Sequence, residues 1–213
     1  MKLKINEIYH SIQGESTFTG LPCIFIRLTY CNLRCSYCDS EYTFYEGYDM
    51  TIKEIMNKIK NYSSNLVLVT GGEPLFQKNC IELLNTLINK KYNVLLETSG
   101  SLTIKDVPKE VINIIDFKCP SSKMEKKNLW DNINYLKPTD EVKFVIETKD
   151  DYEWSKNIIK KYKISDLCTV LLSPSYNKIS PKIIVDWILT DNLNVRFQLQ
   201  IHKEIWKEDK RGV

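Results

Sequence analysis

The chain has 213 residues, 43% hydrophobic and 27% charged, with 30 Lys and Arg against 27 Asp and Glu for a formal net charge of +3. A domain of this size buries about 70% of its unfolded surface, enough for one ordinary core, and the proportions exclude a disordered or fibrous chain. Near-balanced charge without a block of like sign leaves no footprint for nucleic acid.

No run of 18 or more apolar residues is available to span a membrane. The charged start Met1-Lys2-Leu3-Lys4-Ile5-Asn6-Glu7 lacks the apolar centre of a secretory signal, so a cytoplasmic protein is expected. Residues 3–11 read as an added strand. Residues 24–29, 66–70, 94–97, 112–117, 142–146, 169–172 and 195–201 follow as short β-rich apolar runs. Helical patterns lie between several of them. Thr51 with Glu54 makes a capping box ahead of Ile52, Ile55, Met56 and Ile59. Ile81, Leu84, Leu87 and Ile88 form a second stripe, and Ser180 with Pro181 starts a third helix.

Alternating strands and helices predict an α/β fold, a parallel sheet covered by helices and either open or curled toward a barrel. No repeat, low-complexity tract or Pro/Gly linker divides the chain. Residues 1–213 are therefore expected to be one domain, with 1–22 as an N-terminal extension and 203–213 as a C-terminal tail. The distinctive residues fall at the carboxyl ends of strands, where such folds collect their chemistry.

Seven cysteines is an odd count, and three of them crowd into Cys31-Asn32-Leu33-Arg34-Cys35-Ser36-Tyr37-Cys38, a C-x3-C-x2-C pattern. Clustered thiols in a reducing compartment point to metal rather than to disulfides. Structural zinc wants four ligands, and no second C-x2-C pair exists here. An iron-sulfur cubane on three cysteines leaves one iron without a protein ligand, which suits catalysis better than electron carriage. Zinc stays as the competing reading. Cys23, Cys80, Cys119 and Cys168 read as small core hydrophobes.

The triplet, with Tyr37 just before its last cysteine, is followed about thirty residues on by Gly71-Gly72-Glu73-Pro74 at a strand end. Together they resemble the radical S-adenosylmethionine (SAM) enzymes. That resemblance implies a partial (β/α) barrel of about six parallel strands. It also implies a 4Fe-4S cluster whose open iron chelates SAM, which on reduction yields a 5′-deoxyadenosyl radical. Ser11-Ile12-Gln13-Gly14-Glu15, Arg27, Cys38-Asp39-Ser40 and the tail from His202-Lys203 through Trp206 to Arg211-Gly212-Val213 narrow this further. Over essentially the full length they resemble the 7-carboxy-7-deazaguanine synthase family. Its members convert 6-carboxy-5,6,7,8-tetrahydropterin to 7-carboxy-7-deazaguanine with loss of ammonia, on the route to queuosine, using the cluster, SAM and Mg2+.

The resemblance implies Cys31, Cys35 and Cys38 as cluster ligands and Ser40 as a hydroxyl ligand of Mg2+. It implies substrate contacts from Ile12, Gln13, Gly14, Arg27 and Thr98. Arg27 is out of phase with Ile24, Ile26 and Leu28, so its guanidinium faces away from them and suits a bidentate clamp on a carboxylate. SAM contacts are implied for Tyr37, Asp39, Gly71, Gly72, Glu73, Gly100, Asp116, Phe117, Lys118 and Ser173. The two glycines permit close backbone approach, and Glu73 or nearby carbonyls can accept from a cationic amine. Asp116-Phe117-Lys118 and Ser173-Pro174 depart from the family's usual Ser-Pro-Lys and Gln-Pro, and Ser16 replaces a usual glycine. His10 reads as structural, and His202, in the last strand, stands open between a satisfied histidine and a site residue. No catalytic side chain is expected beyond the cluster and bound SAM. A flavodoxin-like electron donor and a homodimer are the implied partners. The rival readings are an activating enzyme of a glycyl-radical protein, whose peptide substrate needs neither Arg27 nor a Mg2+ hydroxyl, and a non-catalytic iron-sulfur protein.

Overall fold

The computed structural model describes residues 1–206 and 210–213; residues 207–209 of the expected C-terminal tail lie outside the described residues. Its strands are β1 (Lys2–Ile12), β2 (Pro22–Leu28), β3 (Tyr48–Thr51), β4 (Leu66–Gly71), β5 (Asn93–Thr98), β6 (Ile112–Asp116), β7 (Glu141–Ile146), β8 (Thr169–Pro174) and β9 (Arg196–Phe197). The helices are α1 (Ile52–Ile59), α2 (Cys80–Asn89), α3 (Lys149–Tyr162), α4 (Ile164–Leu167), α5 (Pro181–Thr190) and α6 (Ile201–Ile205), with several single 3-10 turns between elements. One sheet runs β3-β1-β2-β4-β5-β6-β7-β8-β9. Every pair from β2 to β9 is parallel, and β1 lies antiparallel to both of its neighbours. The expected six parallel strands are present, and β9 adds a two-residue seventh.

Side chains alternate across each strand, so the sheet has two distinct faces. On the outer face Ile24, Ile26, Leu28, Val67, Val69, Val94 and Leu96 pack against Ile55 and Ile59 of α1 and Leu83, Leu84 and Leu87 of α2. Farther along, Val142, Phe144, Ile146, Val170 and Leu172 pack against Tyr152 and Ile159 of α3 and Ile184 and Ile188 of α5. The inner face begins apolar, with Cys23, Phe25, Leu66, Leu68, Leu95 and Ile114. Two residues farther along these strands it turns polar, at Arg27, Thr70, Glu97 and Asp116, and on β7 at Lys143. That switch, at the carboxyl ends of parallel strands, places the site.

The four cysteines outside the triplet lie in these cores. Burial pushes the Cys23 and Cys168 thiols up to about 12, which leaves them protonated and unreactive.

Three elements differ from the sequence reading. The segment 195–201 is a strand only at Arg196–Phe197, and helix α6 starts at Ile201. Its glutamines leave the sheet for the β1–β2 connection: Gln198 Oε1 accepts from Ser16 N at 2.8 Å and Gln200 Nε2 donates to Glu15 Oε1 at 2.6 Å. His202 therefore sits on a helix rather than in a strand. Strand β3, which carries no apolar alternation, forms because Tyr48–Thr51 finds β1 as an antiparallel partner. Helix α3 was hidden by its weak stripe, since its buried face includes Asp151 and Ser155.

Helix α3 starts at a capping box in which Thr148 Oγ1 accepts from Asp151 N at 3.2 Å and Asp151 Oδ2 accepts from Thr148 N at 3.2 Å. The Asp151 carboxylate also accepts from Ser121 N and Glu147 N, at 2.9 and 3.0 Å. Thr148→Ala, which removes only the hydroxyl, is expected to cost about 1 kcal/mol. Asp151→Ala, which empties a fully buried carboxylate site and leaves the N–H groups of Ser121, Glu147 and Thr148 without it, is expected to cost at least twice that, roughly 2 to 4 kcal/mol. Urea unfolding of the two variants checks the order.

Candidate active site

The polar ends of the strands line one cavity of about 570 Å3. The cysteine loop forms one wall. Tyr30, at a φ of 78°, turns the chain out of β2. Its N–H donates to Thr43 O and its carbonyl accepts from Glu73 N, both at 2.8 Å. Inside the loop Leu33 is buried. Arg34 lies 4.1 Å from the Phe44 ring centroid and donates from Nη1 to the carbonyls of Cys31 and Leu33, at 2.9 and 2.6 Å. Ser36 ties the loop to the segment after β6, donating from N to Ser122 O at 3.1 Å and from Oγ to Ser121 O at 2.5 Å. Cys31, Cys35 and Cys38 all line the cavity.

Among the described residues no fourth cysteine lines the cavity. Cys119, just past β6, is buried in the outer core with its sulfur 3.3 Å from Ser155 Oγ. Among the described residues no three His, Cys, Asp or Glu side chains are arranged to hold a single metal ion. Three thiols spread along one loop suit separate irons of a cubane better than one zinc. Burial raises all three thiols, Cys35 to about 11, so bound metal is what would make them thiolates.

The strand end at Gly71-Gly72 presses against this loop. A Cβ on Gly71 would lie 2.2 Å from Leu28 O, and one on Gly72 would lie 2.4 Å from Tyr30 O and 2.7 Å from Cys31 Cβ. Only glycine lets β4 end this close to the first cysteine. Glu73 then turns away from the cavity and is fully buried. Its carboxylate accepts from Thr98 Oγ1 at 2.9 Å, Ser99 N at 2.7 Å, Ser99 Oγ at 2.5 Å and Leu75 N at 3.0 Å. Of the two expected acceptors for a ligand amine, the Glu73 carboxylate is engaged elsewhere, tying the ends of β4 and β5 together behind the wall, which leaves the nearby carbonyls.

Gly100 and Phe117 also lie outside the lining. Gly100, at a φ of 69°, packs so closely on Ile115 and Phe117 that a Cβ would come within 2.9 Å of each. Phe117 alternates with Asp116 and so faces the outer core, where it packs against Trp130 and Phe144.

The other expected residues line the cavity: Ile12, Gln13, Gly14, Arg27, Tyr37, Asp39, Ser40, Gly71, Gly72, Thr98, Asp116, Lys118 and Ser173. Arg27 is oriented from behind, Nε donating to Glu7 Oε1 at 2.7 Å and Nη2 to Tyr9 OH at 3.0 Å. A guanidinium has five N–H donors, so donors remain for an anion. The Thr98 hydroxyl is committed to Glu73. Gly14 packs flat against His202, where a Cβ would lie 2.0 Å from Nδ1, and its carbonyl accepts from Ile201 N at 3.1 Å. Ser40 Oγ lies 3.9 Å from Cys38 Sγ. One hydroxyl suits Mg2+ only if substrate oxygens and waters complete its octahedron.

Asp39 pairs with Lys203 of α6 at 2.8 Å. Burial works against its charge, but Lys203 outweighs it and holds the carboxyl at about 2. The folded value lies below the usual carboxylate value of about 4. Its stabilisation is therefore complete above about pH 4 and is lost as pH falls through about 2. The Asp39 side chain is 56% exposed, so solvent screening keeps the effect small. In Lys203→Met, Asp39 is expected to titrate close to the usual value, as carboxyl-carbon NMR would read.

The sequence pattern of the Radical SAM superfamily matches residues 25–173. The chain is 40% identical to the 7-carboxy-7-deazaguanine synthase of Koribacter versatilis (strain Ellin345), over 99% of this chain and 100% of that protein. It is 42% identical to the synthase of the same name from Chlorobaculum tepidum, over 99% and 97% of the two chains. The chain belongs to the 7-carboxy-7-deazaguanine synthase family of radical SAM enzymes.

The fold agrees with this membership. The crystal structure of QueE from Escherichia coli superposes with a TM-score of 0.79 at 20% identity, covering 93% of this chain and 94% of that one. The sheet is thus the partial barrel of the radical SAM fold. Membership sets aside the glycyl-radical activating enzyme and the non-catalytic protein as readings.

The synthase cavity also holds residues without an expected role, some of them, Glu15 and Arg211-Gly212-Val213, within the motifs that carry the resemblance. Glu15, Glu97 and Lys143 line it, as do Lys210, Arg211, Gly212 and Val213. Arg211 reaches it by lying 3.7 Å from the Tyr42 ring centroid and pairing with Glu46 at 2.8 Å. Lys143 carried a usable signal: Glu141 and Lys143 are charges at alternate positions of an otherwise apolar strand.

Proposed function

We propose that this chain converts 6-carboxy-5,6,7,8-tetrahydropterin to 7-carboxy-7-deazaguanine with release of ammonia, acting in the cytoplasm as a single domain on the route to queuosine and related 7-deazapurines. The observation that carries the reading is full-length membership of the synthase family in a chain whose three loop cysteines and Arg27 line one cavity.

Cys31, Cys35 and Cys38 hold the 4Fe-4S cluster. When bound, the cluster would supply one-electron reduction of SAM, the chemistry by which hydrogen is taken from the substrate. The chain's own residues do the rest. Gly71 and Gly72 give SAM backbone access beside the cluster loop. Asp116 at the end of β6 and Lys118 just past it, paired at 3.0 Å, face it, with Tyr37, Asp39 and Ser173 around them. Arg27, braced by Glu7 and Tyr9, clamps the substrate carboxylate. Ile12, Gln13 and Gly14 supply backbone and amide groups to the pterin edge, and Ser40 presents its hydroxyl to Mg2+. Fixing one C–H beside the radical favours that hydrogen over competing donors. A flavodoxin-like protein supplies the electron, and the working form is a homodimer.

The test is anaerobic turnover of the reconstituted protein with the carboxylated pterin, dithionite and SAM, with and without Mg2+. Deazaguanine product and ammonia are expected, with a strong gain from Mg2+. Cleavage of SAM without product would overturn the reading. Arg27→Met is expected to raise KM for the pterin by roughly 100-fold, the loss of a charge-assisted clamp of about 3 kcal/mol, with a smaller change in SAM binding.

A further inference from the structure

At the cavity floor one ammonium serves three carboxylates drawn from different elements. Lys143 of β7 is 4% exposed. It pairs with Glu15 of the β1–β2 connection, with Glu97 of β5 at 3.2 Å and with Asp116 of β6 at 3.7 Å. Burial acts against its charge, but Glu15, Glu97 and Asp116 outweigh it and keep it protonated. Buried ion clusters are poor stabilisers compared with apolar packing of similar volume. A cluster that lines a cavity is a candidate for a functional role instead.

The two outer carboxylates belong to different halves of the cavity. Glu15 follows Gln13-Gly14 on the substrate side. It is fixed on its far oxygen by Gln200 at 2.6 Å and touched by Gln198 at 3.3 Å. Asp116 is on the SAM side, and Lys118 and Lys143 share its Oδ2. Its Oδ1 is buried with no hydrogen-bond partner among the described residues, and Asp116 as a whole is only 8% exposed. Oδ1 itself is closed off, but Asp116 lines the cavity with the small part of its side chain that stays accessible.

We infer that Lys143 is a positioning residue that couples the two halves, so that SAM and the pterin each tighten the binding of the other. This rests on the function proposed above. A ligand that packs against the accessible edge of Asp116 fixes it, and through the shared ammonium it fixes Lys143 against Glu15. The second ligand then meets a wall already ordered and loses less conformational freedom on binding. Coupling through one shared group is reciprocal.

The experiment is equilibrium binding of SAM with and without the pterin, and of the pterin with and without SAM. It is done anaerobically on cluster-loaded protein with no reductant, so that nothing turns over. In the wild type each ligand is expected to tighten the other by about fivefold or more, the lower range of measured couplings. In Lys143→Met the factor is expected to fall below about twofold while iron content is kept, and Lys143→Arg is expected to restore part of it. Asp116→Asn, which keeps the shape but weakens the hold on Lys143, is expected to lower the factor even if Lys143→Met does not fold. An unchanged factor in Lys143→Met, or in Asp116→Asn where the first variant is lost, overturns the inference. Wild-type protein that binds both ligands with no mutual tightening overturns it too and leaves the function standing. Wild-type protein that binds SAM but not the pterin overturns the function and the inference together.

Discussion

Replacing Cys31, Cys35 or Cys38 singly by Ala is expected to strip most of the iron from the protein and to lower product formation by roughly 1,000-fold or more. A cubane on three thiolates has no spare ligand, so each loss leaves a second iron without a protein anchor, and metal affinity is tied to the whole ligand set. The remaining cysteines supply no substitute, since Cys23, Cys80, Cys119 and Cys168 are buried in the cores. Cys119→Ala and Cys168→Ala are the controls. They are expected to keep full iron and to cost only stability, about 1 kcal/mol each. Anaerobic iron and sulfide analysis of reconstituted protein, followed by the turnover assay, reads both sets. A fully loaded Cys35→Ala would show that the loop is not the cluster site.

Glu73→Gln, a change of one atom in a residue outside the cavity, is expected to destabilise the protein by about 3 kcal/mol. The reason lies in which donors meet its two oxygens. Oε2 accepts from the backbone N–H of Ser99 and Oε1 from that of Leu75. The hydroxyls of Thr98 and Ser99 can rotate to suit an amide, but these two N–H groups cannot. Whichever way a glutamine is turned, its NH2 opposes one of them at a fully buried side chain. At roughly 2 to 4 °C per kcal/mol for a chain of this size, the melting temperature is expected to fall by about 10 °C. Glu73 also fixes the strand end whose Gly72 touches Tyr30 and Cys31, so weaker SAM binding is expected with it. A thermal midpoint within about 1 °C of wild type would show that the Glu73 bonds are dispensable.

The fold and the site were legible to different depths. The capping box at Thr51 and Glu54 reports on itself, since both partners lie within one helical turn. Helix α3 carries the same kind of box at Thr148 and Asp151, but its apolar stripe is weak, because Tyr152 and Ile159 share its buried face with Asp151 and Ser155, polar groups with further partners at Ser121 and Cys119. Arg27 could be assigned to a face by alternation, and it lies there. Glu73 and Phe117 belong to motifs that point to the cavity, yet each faces away from it, since neighbouring positions in extended backbone face opposite ways.

Amino-acid order alone is enough for the chemistry of the cluster loop, because all three thiols lie within eight residues and their spacing survives any packing of the remainder. It is enough, too, for the α/β class, which follows from periodicity. The arrangement in space alone decides which charges meet. Glu15, Glu97, Asp116 and Lys143 are separated by up to 128 residues and come together only through strand order and register. A one-residue slip of β7 would turn Lys143 away from all three. Hydrophobic pattern tells a strand which side to bury, but only the neighbouring strands determine what its polar side will face.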